Sequence, residues 1–555
     1  MGSSGSGSGD ESKPSILYDS SPSHPLLSKP SQTDPHHPIE ESESNPYPLI
    51  TFNYGPRHFQ DLPFLFLFLL FSLSTFAFGI FSIAHRNPYS SHISSFIYDH
   101  NTTSCIHKSS VSPLAIFQLP SFSSYSSSSS SSPLIKDLTW TLVITFILSG
   151  PFIFCLLWSL RHYTKQIVYA SLPFFIIIPV FINVFWFVAC TVTPTCRDSF
   201  SLAYRILILV FVFLIIVIIA WIIFANWHRI ELTIRIVGVA SDALARNIGL
   251  LGVLPCLSFG IIVYFVPIVV FLVFARLNGK IVPKASGETE YDCVWKQDSW
   301  VPAYFTLAIV TMLWSAAVMV EAQVYVISGT VAQWYFLKEG STPSRSIRSS
   351  LRNAFGHSFG TVCFSGLLIG AVRVVRAAVD SAEREDAASG IVNLILRCCV
   401  NVLLSAINFL NKFTINFAAI TGEGYCSSAK MTYELLRRNL LSAVFVETVS
   451  TRILVGIIFV LSALYAIVVC AILKAVSSLG VEAYFVAVLA WMLLLAALGY
   501  FVHVLENVID TVYVCYAIDR DKGEVCKQEV HEVYVHLPIS RNDRLSHALR
   551  TPLIV

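Results

Sequence analysis

The chain has 555 residues, of which 54% are hydrophobic and 13% charged. A soluble domain carries about 25% charged residues, so low charge with several long apolar runs points to lipid as the solvent. The formal net charge of +2 excludes a nucleic-acid footprint, and 13 cysteines scattered through apolar segments show no metal spacing.

Residues 1–60 are rich in Ser, Gly and Pro and read as a disordered cytosolic tail. Gly2 to Ser6 fits a myristoylation pattern, although Gly-Ser repeats are more often plain flexible chain. A spanning helix needs about 20 mostly apolar residues. Runs at 62–84, 138–160, 167–190, 202–225, 251–274, 301–330, 355–379, 391–420, 451–473 and 484–517 meet that length. They predict an all-α polytopic transmembrane helix bundle of about ten spans, occupying residues 61–518. A large outer loop at 85–136 follows the first span, and a cytosolic tail at 519–555 closes the chain.

Lys and Arg in short loops set orientation. Arg161, Lys165, Arg229, Arg235, Arg246, Arg345, Arg348, Arg352, Arg437 and Arg438 favour both termini in the cytosol. The first outer loop holds the sequon Asn101-Thr102-Thr103, a candidate glycosylation site on that side. Cys105, Cys196 and Cys293 also fall outside, where either one oxidised pair or three free thiols fits. Two stretches, 227–247 and 425–439, read as interfacial helices, with Gly422 and Gly424 breaking the eighth span before the second. Cys398 and Cys399 read as buried thiols rather than lipidation sites.

No nucleotide loop, HExxH, CxxC pair or foldable GxSxG elbow is present. The reading is therefore not an enzyme, with no cofactor and no metal. Ionisable groups inside a membrane are costly, so each needs a reason. In the last span His503, Glu506, Asp510 and Tyr513 follow helical spacing along one face. Such a stripe suits a cation path, a proton relay or simple anchoring. In the sixth span Trp314, Glu321, Tyr325 and Ser328 share a face and Gln323 points away, while Trp334 and Tyr335 read as an interfacial belt. A ring beside a carboxylate suits a quaternary ammonium, which has no N–H donor and is held by aromatic faces at roughly 0.5–2 kcal/mol each. Asn401, Ser405, Asn408 and Asn411 in the eighth span read as hydrogen bonds between helices.

These segments also carry a family likeness. Residues 407–412 (Ile-Asn-Phe-Leu-Asn-Lys), Ala418-Ala419-Ile420 and Tyr425-Cys426-Ser427-Ser428-Ala429-Lys430 form one specific block. Glu506, Asp510, Cys515 and Asp519 form a terminal element, and Gln323, 328–336, Ser358-Phe359-Gly360 and Gly366 support it. The pattern resembles the choline transporter-like family over most of 300–530, with Ser328-Gly329-Thr330 where members tend to have Ala-Gly-Ala. The resemblance implies carriage of choline or a similar organic cation such as an ethanolamine compound, facilitative or proton-linked. It also implies a plasma-membrane or trans-Golgi and endosomal location. Substrate-binding candidates are Gln323, Glu506 and Asp510 from the resemblance, and Trp314, Glu321 and Tyr513 from the residues themselves. The rival expectation is a membrane scaffold acting in lipid homeostasis and vesicle traffic, with trafficking partners docked at its tails.

Overall fold

Long apolar runs leave the backbone one way to satisfy its polar groups in lipid, the helix. The computed structural model describes residues 52–53, 55, 57–91, 96–99, 103–107, 133–285, 291–337, 346–385, 391–476, 480–522 and 525–537. Its helices are α1 (Leu62–Ala84), α2 (Pro133–Ser171), α3 (Phe174–Val192), α4 (Pro194–Ser199), α5 (Leu202–Ala225), α6 (Trp227–Arg246) and α7 (Leu250–Arg276). There follow α8 (Val301–Tyr335), α9 (Ser346–Ala354), α10 (Phe359–Glu385), α11 (Ile391–Thr421), α12 (Tyr425–Val476), α13 (Glu482–Lys522) and α14 (Gln528–Tyr534).

Among the described residues nine helical segments are long and apolar enough to cross a membrane. One of them, Leu134–Val192, has 59 residues and contains two of the ten expected spans. It bends at Tyr163, which leaves helical geometry, and breaks before α3 at Pro173. The chain is a multi-pass membrane protein. α8, α10, α11, α12 and α13 pack mutually as the inner bundle, and α13 is the most enclosed over its second half. α3 and α5 pair with each other at the edge and expose large apolar side chains such as Phe181, Phe185, Leu207 and Phe211.

Two antiparallel hairpins lie outside the helices. β1 (Phe96–Asp99) pairs with β2 (Ser104–His107), and β3 (Gly279–Ala285) with β4 (Tyr291–Gln297). A disulfide between Cys105 and Cys293 joins them, and a second links Cys190 to Cys196. The expected trio of outer cysteines is thus fully oxidised, the third through Cys190 at the end of α3. Asn101 lies outside the described residues, as does the myristoylation pattern.

Several expectations need correction. Residues 425–439 do not form a separate interfacial helix; they open the continuous 52-residue α12. Their apolar side, including Leu435 and Leu436, is buried in the core. α6 is amphipathic as expected, but its apolar side (Ile236, Val237, Ala240, Leu244) packs on α2 and α13 rather than resting on lipid alone. Arg161 of α2 fixes it through Asp242 at 2.9 Å. Trp334 and Tyr335 are buried rather than interfacial, because the chain after α13 folds back over the end of α8 and places Lys527 5.8 Å from the Trp334 ring. Cys398 and Cys399 are exposed.

Described residues on either side of the 61–518 segment also pack on the helices. Before α1, Phe52, Asn53 and Arg57–Gln60 form a strap across the helix ends. Asn53 N–H donates to Ile420 O at 3.0 Å, and Gln60 N–H to His357 O at 3.2 Å. Arg57 donates to Tyr325 OH and, at 2.8 Å, to Ala419 O. Asp61 Oδ2 accepts from Thr361 Oγ1 and from Tyr425 N–H, both at 2.7 Å. A Cβ on Gly360 would stand 2.3 Å from Gln60 O, so only glycine lets the strap lie this close. After the last span, Asp519 is fully buried and accepts from Cys526 N–H at 3.0 Å, which folds α14 onto the bundle.

Candidate functional site

Two buried polar centres meet on consecutive residues of α11. At the first, Glu321 of α8 is 7% exposed. Its Oε2 accepts from Ser365 Oγ of α10 at 2.8 Å and from Asn411 Nδ2 of α11 at 3.2 Å. Asn411 Oδ1 accepts from Tyr425 OH of α12 at 2.6 Å and lies 2.9 Å from Ser365 Oγ. Four helices therefore contribute one side chain each. Burial, and after it the nearby Glu321 carboxylate, pushes the Tyr425 phenol above its usual range, so it stays a donor. Among the described residues Glu321 forms no ion pair.

Aromatic side chains flank this centre. Trp314, two turns before Glu321, is 4% exposed and donates from Nε1 to Cys363 O at 3.1 Å. Phe68 and Phe71 of α1 meet it edge-on at 5.2 and 5.6 Å. Phe364, beside Ser365, stacks on Phe64 at 3.9 Å and lies 4.5 Å from the Tyr425 ring. The close seating of α8 on α10 depends on Gly366, where a Cβ would meet Val318 N at 2.8 Å.

The second centre starts at Lys412. Its ammonium pairs with Asp510 of α13, which is 2% exposed, and stands 3.5 Å from Glu447 Oε1 of α12. Isolated ions at this depth are strongly disfavoured, so the pair neutralises itself. Beside it a cleft of about 560 Å³ runs between α10, α11, α12 and α13, and Glu506 lines it.

The expected residues therefore divide. Asn411 and Lys412 connect Glu321 to Asp510, and Glu506 is next to the latter pair. Gln323 faces elsewhere: its Nε2 donates at 2.8 Å to Ser258 Oγ of α7, which lies 3.4 Å from Tyr500 OH. Tyr513 is buried between the Phe413 and Tyr534 rings, 6.3 Å from each. Asn411 makes the hydrogen bonds between helices expected of it; Lys412 and Tyr425 enter the sequence reading only as members of the family block, and Ser365 and Glu447 do not enter it. A lysine inside an otherwise apolar span was the available signal for Lys412. Nothing in spacing could bring Ser365 to Glu321, since they are 44 positions apart on different helices.

Comparison with known proteins adds the remaining observation. Residues 210–521 match the family described as plasma-membrane choline transporter. The bovine choline transporter-like protein 3 is 26% identical over 318 residues, covering 55% of this chain and 47% of its own. The human protein of that name is 25% identical over 319 residues, with the same shares. A CTL-like protein of Dictyostelium discoideum is 23% identical over 235 residues, 40% of this chain and 42% of its own. The matched part thus spans less than half the length of each of these relatives. Glu321, Ser365, Asn411, Lys412, Tyr425, Glu447 and Asp510 all lie inside the family match.

Proposed function

From the premise that the chain belongs to the plasma-membrane choline transporter family, we propose that it moves choline or a closely related organic cation across a membrane, with Glu321 as the counter-charge. The observation that carries this is a buried carboxylate with neutral hydrogen-bond donors and, among the described residues, no ion-pair partner, flanked by aromatic rings. Ser365 and Asn411 hold Glu321 in place without neutralising it. A quaternary ammonium supplies the missing charge, and rings such as Trp314 and Tyr425 replace its water. Asp510 differs because Lys412 already occupies it. It balances the second centre, and Glu506 lies on the approach to it.

Purified protein in liposomes tests the proposal. Wild type takes up labelled choline without added factors; Glu321→Gln loses about tenfold or more, since a charge-assisted contact is worth roughly 1.5–3 kcal/mol. Full uptake by a correctly inserted Glu321→Gln rejects the assignment. No flux in wild type would instead favour a membrane scaffold.

A further inference from the structure

The cleft beside Lys412 has features that cation transport at Glu321 leaves unused. Arg376 of α10 and Arg452 of α12 line it, and among the described residues neither forms an ion pair. Among the described residues Arg376 donates to Ser405 Oγ, at 3.3 Å. Asn408 Oδ1, also in the lining, is buried without a hydrogen-bond partner among the described residues. Glu447 and Glu506 bring negative charge to the same space. Lys412 is paired with Asp510, so the two remaining cations, Arg376 and Arg452, share the cleft with two carboxylates, and Phe409 and Val444 add apolar surface to its lining.

Its position identifies the class of ligand. Val402, Leu403, Val444 and Val455 beside it are exposed apolar side chains on membrane-crossing helices, a surface that lipid covers. Depth follows from the α12–α13 hairpin. About 20 residues cross the hydrocarbon. Counting back from Val476 in α12, that length is used up before Arg452 and Glu447; counting on from Glu482 in α13, it is used up before Glu506. By this count α12 and α13 place Glu447, Arg452 and Glu506 where the hydrocarbon ends and lipid headgroups begin, while Arg376 on α10 reaches the same cleft from within an apolar stretch. An arginine that forms no ion pair among the described residues is matched, at a headgroup, by a phosphate. A volume of about 560 Å³ lies within the 300–1,000 Å³ usual for small-molecule sites.

We infer that this cleft binds the headgroup of a zwitterionic membrane phospholipid, its phosphate on Arg376 and Arg452 and its ammonium toward Glu447 and Glu506. The inference does not rest on the role given to Glu321.

Native mass spectrometry of the full-length protein, titrated with dioleoyl phosphatidylcholine, tests it. Wild type binds one lipid more tightly than the rest. The Arg376→Gln/Arg452→Gln double variant weakens that binding about tenfold or more, whereas Arg376→Lys/Arg452→Lys retains most of it. Unchanged binding in the double glutamine variant overturns the site. On wild type alone, equal affinity for phosphatidylglycerol, which has no ammonium, overturns the zwitterion; equal affinity for free phosphocholine overturns a membrane lipid as its source.

Discussion

Lys412 and Asp510 show how a single ion pair constrains the bundle. Asp510 is 2% exposed and Lys412 22%. Removing the lysine strands a carboxylate among apolar helices, which costs roughly 3–5 kcal/mol. Lys412→Met should therefore lower the thermal midpoint of the detergent-solubilised protein sharply, and Lys412→Met/Asp510→Asn should recover most of the loss. Equal midpoints for the single and double variants would show that the pair is not what Lys412 stabilises. The acids of this region were legible in the sequence because charge in a span announces itself. Their partners were not, because a lysine on α11 meets an aspartate on α13 only once both helices are packed. Gln323 shows the reverse: a motif residue whose observed contacts, Ser258 and Leu254 on α7, make it a tie between helices.

Among elements, the strap before α1 holds the ends of α10, α11 and α12 and, through Tyr325, the body of α8, the four helices that also build the Glu321 centre. Asp61 is its anchor and adopts a left-handed backbone, φ 52°. Aspartate tolerates that region better than most residues do. Asp61→Ala loses both acceptor bonds and keeps the backbone cost, so a loss of about 2–4 kcal/mol is expected. Asp61→Asn, which keeps an acceptor and suits the same backbone, should lose less. Relative thermal midpoints check the order, and equal values for the two variants would refute it. The number of spanning segments was readable from apolar length alone. The strap was not, because residues 52–60 are too polar and too short to register as an element. The continuity of α12 escaped for a related reason: its first turns are amphipathic, and a charged outer side looks the same whether the inner side meets lipid or protein.

Across the whole molecule, transport of a permanent cation without a coupled ion would be driven by the membrane potential. Moving one charge through 100 mV is worth about 2.3 kcal/mol, so an imposed inside-negative potential of that size should raise accumulation of labelled choline up to about fifty-fold. Accumulation that ignores a potassium diffusion potential but follows a pH gradient would indicate proton exchange instead. The fold also has a topological property that local packing does not reveal. Cys105 and Cys293 are 188 positions apart, and the covalent bond between them closes α2 to α7 into a ring hanging from α1 and α8. A single backbone cut anywhere within that ring leaves one covalent particle. Nicked protein should migrate as an intact chain on a gel until a reductant is added, and only then separate into two fragments.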